Sequence, residues 1–289
     1  MNDQTRGVLL TSLGVLAIVP DTLLIRLMDT GVLTVVFWRA LFAAATIMLS
    51  VVFVYRGKTL QTLRQLGKCG FLYALFMGLG TLLFVSAAQL TTIANTVFIV
   101  SISPVFAAIV SRIFLAERIS KRMTWTIGLS LIGIAVIAYG SIDGTSSAIW
   151  GDLCAFGAAF ALAISFTAAR AGRSVSMVPA AGLAYVMTTL AVLPFVTPSA
   201  GLETDSWIYA LLLGCVFVPI GTSLMALGAR YIPSAEVSLL LLLEAVLAPL
   251  LVWAVLNEFP GTATLIGGAI VLGVLAGSNF IALRKTSRA

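Results

Sequence analysis

Residues 87–134 of this chain recur in pattern as residues 228–275, and a duplication on that scale constrains the fold more than any local motif. The first copy reads AAQLTTIANTVFIVSISPVFAAIVSRIFLAER, then ISKRMTWTIGLSLIGI; the second reads GARYIPSAEVSLLLLLEAVLAPLLVWAVLNEF, then PGTATLIGGAIVLGVL. An offset of 141 carries Ala94 onto Ala235, Ser103 onto Glu244 and Glu117 onto Glu258. After a loop one residue shorter, an offset of 140 carries Gly128 onto Gly268 and Gly133 onto Gly273. Upstream, Gly80-Thr81 falls on Gly221-Thr222, and an offset of 144 takes Gly7 to Gly151 and Arg26 to Arg170. The chain is read as two copies of one unit, residues 1–145 and 146–289.

What dissolves such a chain follows from its polar content. Of 289 residues only 10% are charged and 60% are hydrophobic, with a mean hydropathy of +1.11; a soluble domain carries about 25% charged residues. There is too little polar surface to face water, so the expectation is an all-α integral membrane protein. A β-barrel would show short alternating segments, and the apolar runs here are long and continuous. Windows of roughly 20 apolar residues give ten spans: 7–27, 32–54, 70–90, 93–115, 123–141, 151–171, 179–197, 207–228, 233–256 and 262–283. The first is not read as a cleaved signal peptide, because Pro20-Asp21 interrupts it and no small-residue cleavage site follows.

The loops orient the spans. With the N-terminus inside, the inner set of basic residues is Arg6; Arg56, Lys58, Arg64, Lys68; Arg112, Arg118, Lys121, Arg122; Arg170, Arg173; Arg230; and Arg284, Lys285, Arg288, which is 15 of the 17. This bias predicts both termini in the cytoplasm of a bacterial-type inner membrane. It also accounts for the net charge of +6 without nucleic acid, since no basic patch with interleaved aromatics is present. Cys69, Cys154 and Cys215 are far apart and sit in or beside apolar runs, with neither a disulfide framework nor metal spacing. The absence of histidine excludes HExxH proteases, Ser-His hydrolases and His-ligated haem or zinc, and no metal, cofactor or enzymatic activity is expected.

Five spans per copy is an odd number, so the second copy enters the membrane inverted. Inverted repeats related by an in-plane axis are characteristic of secondary transporters, although duplication can also build a larger inert bundle. Here the pattern Ala94…Pro104…Glu117…Gly128…Gly133, echoed by Ala235…Pro249…Glu258…Gly268…Gly273, resembles the EamA repeat of the drug/metabolite transporter superfamily. Arg39 within FWRALFAA is similar to that family's second-helix arginine. The resemblance covers nearly the whole chain. It implies a ten-helix exporter of small metabolites, often amino acids or drugs, working by alternating access. Within the family the chain is somewhat similar to the YddG-type aromatic amino-acid exporters, with no motif that defines the subgroup. One departure is Glu244-Ala245, where the family often has Glu-Pro; the next proline is Pro249, so helix distortion is expected a turn further along.

A few polar residues inside the spans are candidates for a translocation path. Glu244 lies halfway along the ninth span, where a charge costs roughly 2.5–3.5 kcal/mol or more. It either meets a substrate ammonium or a proton, or stays protonated and bridges two helices. Its repeat mate Ser103 precedes Pro104, which frees a carbonyl near Val100, so Ser101, Ser103 and that carbonyl either line a polar midplane site or mark a plain kink. Asp21 and Arg39 share the outer half of the membrane, either as a structural ion pair or as groups at the outer mouth. Asn95 and its mate Glu236 sit at helix starts, as part of the path or as groups that satisfy backbone donors. Glu117 and Glu258 read as caps or loop anchors. Gly78, Gly80, Pro219 and Gly221 form matched weak points in the third and eighth spans, as hinges or packing sites. Gly128, Gly133, Gly268 and Gly273 read as packing sites. Tyr185 is near mid-membrane and its hydroxyl needs a partner. Tyr73, Phe84 and Phe98 read as packing or lipid-facing rings.

The expected protein is thus an exporter of amino acids or related metabolites, working as a monomer in the lipid bilayer. Glu244, Ser103 and Tyr185 would form the central site, with Asp21 and Arg39 on the outer path. A drug exporter and a facilitative channel are the alternatives.

Overall fold

In a bilayer every backbone donor and acceptor must find its partner inside the protein, and a long apolar run does so as a helix. The computed structural model describes residues 2–28, 30–91, 93–117, 119–139, 149–196, 204–256 and 262–286, and among these it is entirely helical. The helices are α1 (Asp3–Ile18), α2 (Pro20–Leu27), α3 (Val32–Tyr55), α4 (Thr59–Gln65), α5 (Gly67–Leu90), α6 (Ile93–Val100), α7 (Ser103–Phe114), α8 (Lys121–Tyr139), α9 (Ile149–Ala171), α10 (Val178–Val192), α11 (Thr204–Leu212), α12 (Val218–Gly228), α13 (Ser234–Leu256) and α14 (Thr262–Thr286). Among the described residues, seven helical stretches are long and apolar enough to cross a membrane.

Proline sets the interruptions. The first predicted span is two helices, because Pro20 cannot donate within α1 and instead opens α2 in its first turn. The fourth span differs from the expected kinked helix in the same way. The chain breaks at Ser101–Ile102, and Pro104 stands in the first turn of α7, where its missing N–H costs nothing. The eighth span carries a π-helical turn at Leu213–Phe217, and Pro219 opens α12 behind it. By contrast α13 runs unbroken through Pro249, so the distortion expected there does not interrupt the helix.

The two halves do not fold side by side; they interleave. The most extensive packing joins first-half helices to second-half ones: α5 on α9, α8 on α14, α1 on α12 and α3 on α10. These pairs follow the sequence repeat. α5 on α9 has its counterpart in α12 on α1, and α7 on α9 in α13 on α1, while α3/α10, α7/α13 and α8/α14 are their own counterparts. Alanines make the central approach possible: Ala40, Ala43 and Ala44 of α3 and Ala180, Ala181 and Ala184 of α10 are all buried in one cluster. In lipid, small residues let van der Waals contact replace the missing hydrophobic drive between helices.

The glycines expected to be weak points serve close packing. α5 is continuous through Gly78 and Gly80. A Cβ on Gly78 would stand 2.9 Å from both the Ala184 carbonyl and Thr188 Oγ1, and Thr188 donates to the Gly78 carbonyl at 3.2 Å. On Gly221 a Cβ would meet Ile18 Cγ1 at 2.7 Å and the Gly14 carbonyl at 2.8 Å, where α12 crosses α1. Gly133 and Gly268 are likewise hemmed in, whereas a Cβ on Gly128 or Gly273 would meet nothing within 4 Å among the described residues. Tyr73 is fully buried and faces no lipid. Gly221→Val is therefore expected to cost about 1–3 kcal/mol by overpacking, and Gly273→Ala to cost nothing measurable. Thermal unfolding in detergent checks this, and equal Tm values for the two variants would refute the described α1/α12 crossing.

Candidate functional site

Residues of both halves line a cavity of about 80 Å³. On a scale of about 10–15 Å³ per water, it has room for several waters or one small solute. Its walls come in repeat-related pairs: Thr81 with Thr222, Phe84 with Met225, Val100 with Leu241, and Ser101 with Leu242. Around these stand Ile18, Met77, Leu162 and Phe166, which make the enclosure mainly apolar. Phe84 is thus a cavity residue.

Three ionisable side chains interrupt the apolar wall. Asp21 sits in the first turn of α2 and Arg39 faces it from α3. Arg39 Nε donates to Asp21 Oδ1 at 2.9 Å and Nη2 to Oδ2 at 2.5 Å, with both side chains at most 5% exposed. This is the bidentate fork that suits guanidinium and carboxylate. It leaves Arg39 Nη1 buried with no partner among the described residues. The third is Glu244 of α13, on the cavity wall, whose Oε1 is enclosed with no partner either. It lies within electrostatic reach of both Asp21 and Arg39. One basic and two acidic groups thus share a cavity in which the ring faces of Phe84 and Phe166 and the thioethers of Met77 and Met225 supply the rest.

The expected site residues are only partly brought together. Glu244, Tyr185, Asp21, Arg39 and Ser101 meet in this one cavity, so the two charged residues assigned to a separate outer path line the same space as Glu244. Ser101 is already committed, donating to the Val97 carbonyl at 2.6 Å. Ser103 is buried behind the break between α6 and α7, its hydroxyl without a protein partner, and is not part of the wall. Of the hinge candidates only Gly80 lines the cavity. The side chain of Asn95, like Phe98 and Glu258, lies outside the described residues. Tyr185 lines the cavity together with Thr81 and Thr222. Those two threonines escaped the reading of single residues. Their signal was the repeated Gly-Thr pair at a spacing of 141.

A second, larger cavity of about 390 Å³ opens at one end of the bundle, lined by Glu117, Arg122, Tyr231 and Glu236 among others. Here two ion pairs tie helix ends together. Arg122 pairs with Glu236 and also donates to the Ser278 carbonyl at 2.8 Å. Arg170 Nε donates to Glu117 Oε1 at 3.0 Å and its Nη1 to the Arg230 carbonyl at 2.8 Å. Glu117 and Glu236, expected as helix-end groups, therefore serve as the acidic halves of inter-helix pairs, which sequence spacing could not reveal across separations of 53 and 114 residues.

A helical membrane protein with interleaved, repeat-related halves and a small, mainly apolar cavity that holds a few charged groups has the architecture of a solute carrier. The EamA-like transporter family model matches this chain twice, over residues 5–139 and 149–280. The chain belongs to that family. It is 26% identical over 181 residues to the uncharacterized transporter YdfC of Bacillus subtilis (strain 168). That match takes in 61% of this chain, and the chain spans 58% of the relative's length. A solved crystal structure superposes with a TM-score of 0.77 over 96% of this chain and 99% of its own length, at 20% identity, and so shares the fold.

The buried pair carries a direct consequence. Asp21→Leu leaves a guanidinium buried and uncompensated, with an expected loss of about 3–5 kcal/mol, while Asp21→Leu with Arg39→Met removes both charges and should recover most of it. Thermal unfolding of the two variants in detergent makes the comparison. A double variant no more stable than Asp21→Leu would show that the pair is not the interaction being lost.

Proposed function

We propose that this protein exports amino acids with apolar side chains of up to aromatic size across a bacterial inner membrane, by alternating access between two inverted five-helix repeats. The single observation that carries the reading is the cavity's leftover chemistry. Arg39 keeps one guanidinium N–H group without a partner, Glu244 keeps one carboxyl oxygen without a partner, and the wall between them is apolar. A zwitterion offers a carboxylate to the first and an ammonium to the second, and its side chain replaces water against Phe84, Phe166 and the two methionines. Charge-assisted hydrogen bonds of this kind are about twice as strong as neutral ones.

In this reading the ten spans cross the bilayer with both termini cytoplasmic, and one chain is a complete carrier. Glu244, Arg39 and Asp21 hold the ligand site, with Ser101, Ser103, Asn95 and Tyr185 as polar neighbours of the path. Rocking at the breaks before Pro20 and Pro104 and at the π-helical turn before Pro219 exposes the cavity to each side in turn. Support for this motion comes from the repeat-related packing of the two halves, the feature by which inverted repeats supply exchangeable conformations.

The second reading is a carrier of organic cations or other drugs. Asp21 already meets the Arg39 charge with two bonds, which leaves Glu244 as the group available to a cation. Counterflow in proteoliposomes with labelled amino acids and amines separates the two. Saturable exchange of amino acids is the expected result, and Glu244→Gln should lower it at least tenfold, the factor supported by a charge-assisted bond of about 1.5–3 kcal/mol. Exchange of amines alone would select the second reading, and a linear, non-saturable leak would mean a channel.

A further inference from the structure

The two arginine–glutamate pairs at the end of the bundle are built differently from the pair beside the small cavity. Arg39 spends two N–H groups on Asp21, one for each carboxylate oxygen. Arg122 and Arg170 each divide the fork instead. Arg122 Nη2 donates to Glu236 Oε1, while its Nη1 turns to the Ser278 carbonyl at 2.8 Å. Arg170 Nε donates to Glu117 Oε1 at 3.0 Å, while its Nη1 turns to the Arg230 carbonyl at 2.8 Å. Each glutamate is left with one oxygen, Oε2, buried and without a partner among the described residues. Glu236 as a whole is only 8% exposed. A buried carboxylate oxygen without a donor is costly. Here the same deficit occurs on two residues that line one cavity of about 390 Å³.

The chemistry of that deficit defines the ligand. Ionised carboxylates only accept hydrogen bonds, so the missing partners are donors. Each glutamate's charge is already offset by its own arginine, so the wall favours N–H groups over positive charge alone. A bare metal ion is not suited to it, because among the described residues no group of three or more His, Cys, Asp or Glu could hold one. A primary ammonium brings three donors on one atom. The rest of the wall suits a carbon skeleton, with Met123, Ile232, Pro233 and Ala235 supplying apolar surface. The volume falls in the range of small-molecule sites, roughly 300–1,000 Å³. We propose that this cavity is a second binding site, for organic solutes bearing a primary ammonium group, with the free oxygens of Glu117 and Glu236 as its acceptors. It shares no lining residue with the small cavity that holds Glu244. In the orientation proposed above it faces the cytoplasm and is where an exported amine first loads. That role rests on the export reading; the site itself does not.

Ile119 lines this cavity and is 40% exposed, which makes it a reporter position. In the full chain with Cys69→Ala, Cys154→Ala and Cys215→Ala, the substitution Ile119→Cys supplies the only thiol. Its rate of reaction with a fluorescent maleimide is measured in detergent at neutral pH against rising concentrations of 2-phenylethylamine. The amine is expected to slow the reaction saturably. The concentration for half protection should rise about tenfold or more with Glu236→Gln or with Glu117→Gln, the loss of one charge-assisted bond. Glutamine keeps a carbonyl for the arginine and puts an N–H donor where the free acceptor stood. The N,N,N-trimethyl analogue of the amine, which keeps the charge but has no N–H, should protect far less well. Glu244→Gln, which lowers exchange in the function proposed above, should leave this protection as it is. No protection in the parent, equal protection by the quaternary analogue, protection unchanged by either glutamate substitution, or protection lost with Glu244→Gln would each overturn the proposal. Should the glutamate variants not fold, the comparison of the two amines in the parent still decides it. Saturable protection in a protein that exchanges no amino acid would uphold the site while the export reading fell, and amino-acid exchange without protection would do the reverse.

Discussion

Arg39 and Asp21 meet at the wall of a cavity with almost no exposure to solvent, and each is there because the other is. An isolated charge in a bilayer is costly, and the fork of two hydrogen bonds is what offsets the loss of water. Much of the local backbone follows from making that fork. The first span breaks before Pro20, so that Asp21 opens a new helix rather than continuing the old one, and its carboxylate reaches α3. The second chain break, at Ser101–Ile102, also borders the cavity through Val100 and Ser101. Irregular backbone is tolerated at membrane depth only where it is buried in protein or lines a cavity, and these two breaks obey that rule.

The scaffold is nearly symmetric and its chemistry is not. Thr81/Thr222, Phe84/Met225 and Val100/Leu241 line the cavity in pairs as the duplication requires. Glu244, however, has Ser103 as its repeat mate, and Asp21 falls on Ser165 under the 144-residue offset. After duplication the packing surfaces stayed interchangeable while the charged groups came to reside in one copy each. That division suits a carrier. In the function proposed above, exchangeable packing would let the two halves trade conformations, and a single set of polar groups would give one central site rather than two.

Different forces hold different depths of the bundle. At the centre small alanines and glycines bring helices close, as at Ala40 against α10 and Gly14 against Gly221, and shape decides which helices meet. Toward one end, where water can reach, arginines take over: Arg122 with Glu236 and Ser278, and Arg170 with Glu117 and the Arg230 carbonyl. These bonds join α8, α13 and α14, and the end of α7 to α9, so basic residues counted in the expected inner set also tie helix ends together.

Much of this protein was legible in the chain before any coordinates. Scarcity of charge dictated helices in lipid, the 141-residue offset dictated two equivalent units, and an acidic residue amid LLLLLEAVLAPL marked Glu244, because each of these is a local or periodic property. Burial of Tyr73, the cavity position of Phe84, the exclusion of Ser103 from the wall and the pairing of Glu236 with Arg122 were not legible. Each depends on which helix faces which, and an apolar span reads much the same on all its sides when lipid is as apolar as the core. The amino-acid sequence determined the solvent, the repeat and the identity of the costly residues. Only the tertiary structure decided that Asp21, Arg39, Tyr185 and Glu244 share one cavity, because residues on four different helices converge through the shape of side-chain packing, which no spacing along the chain records.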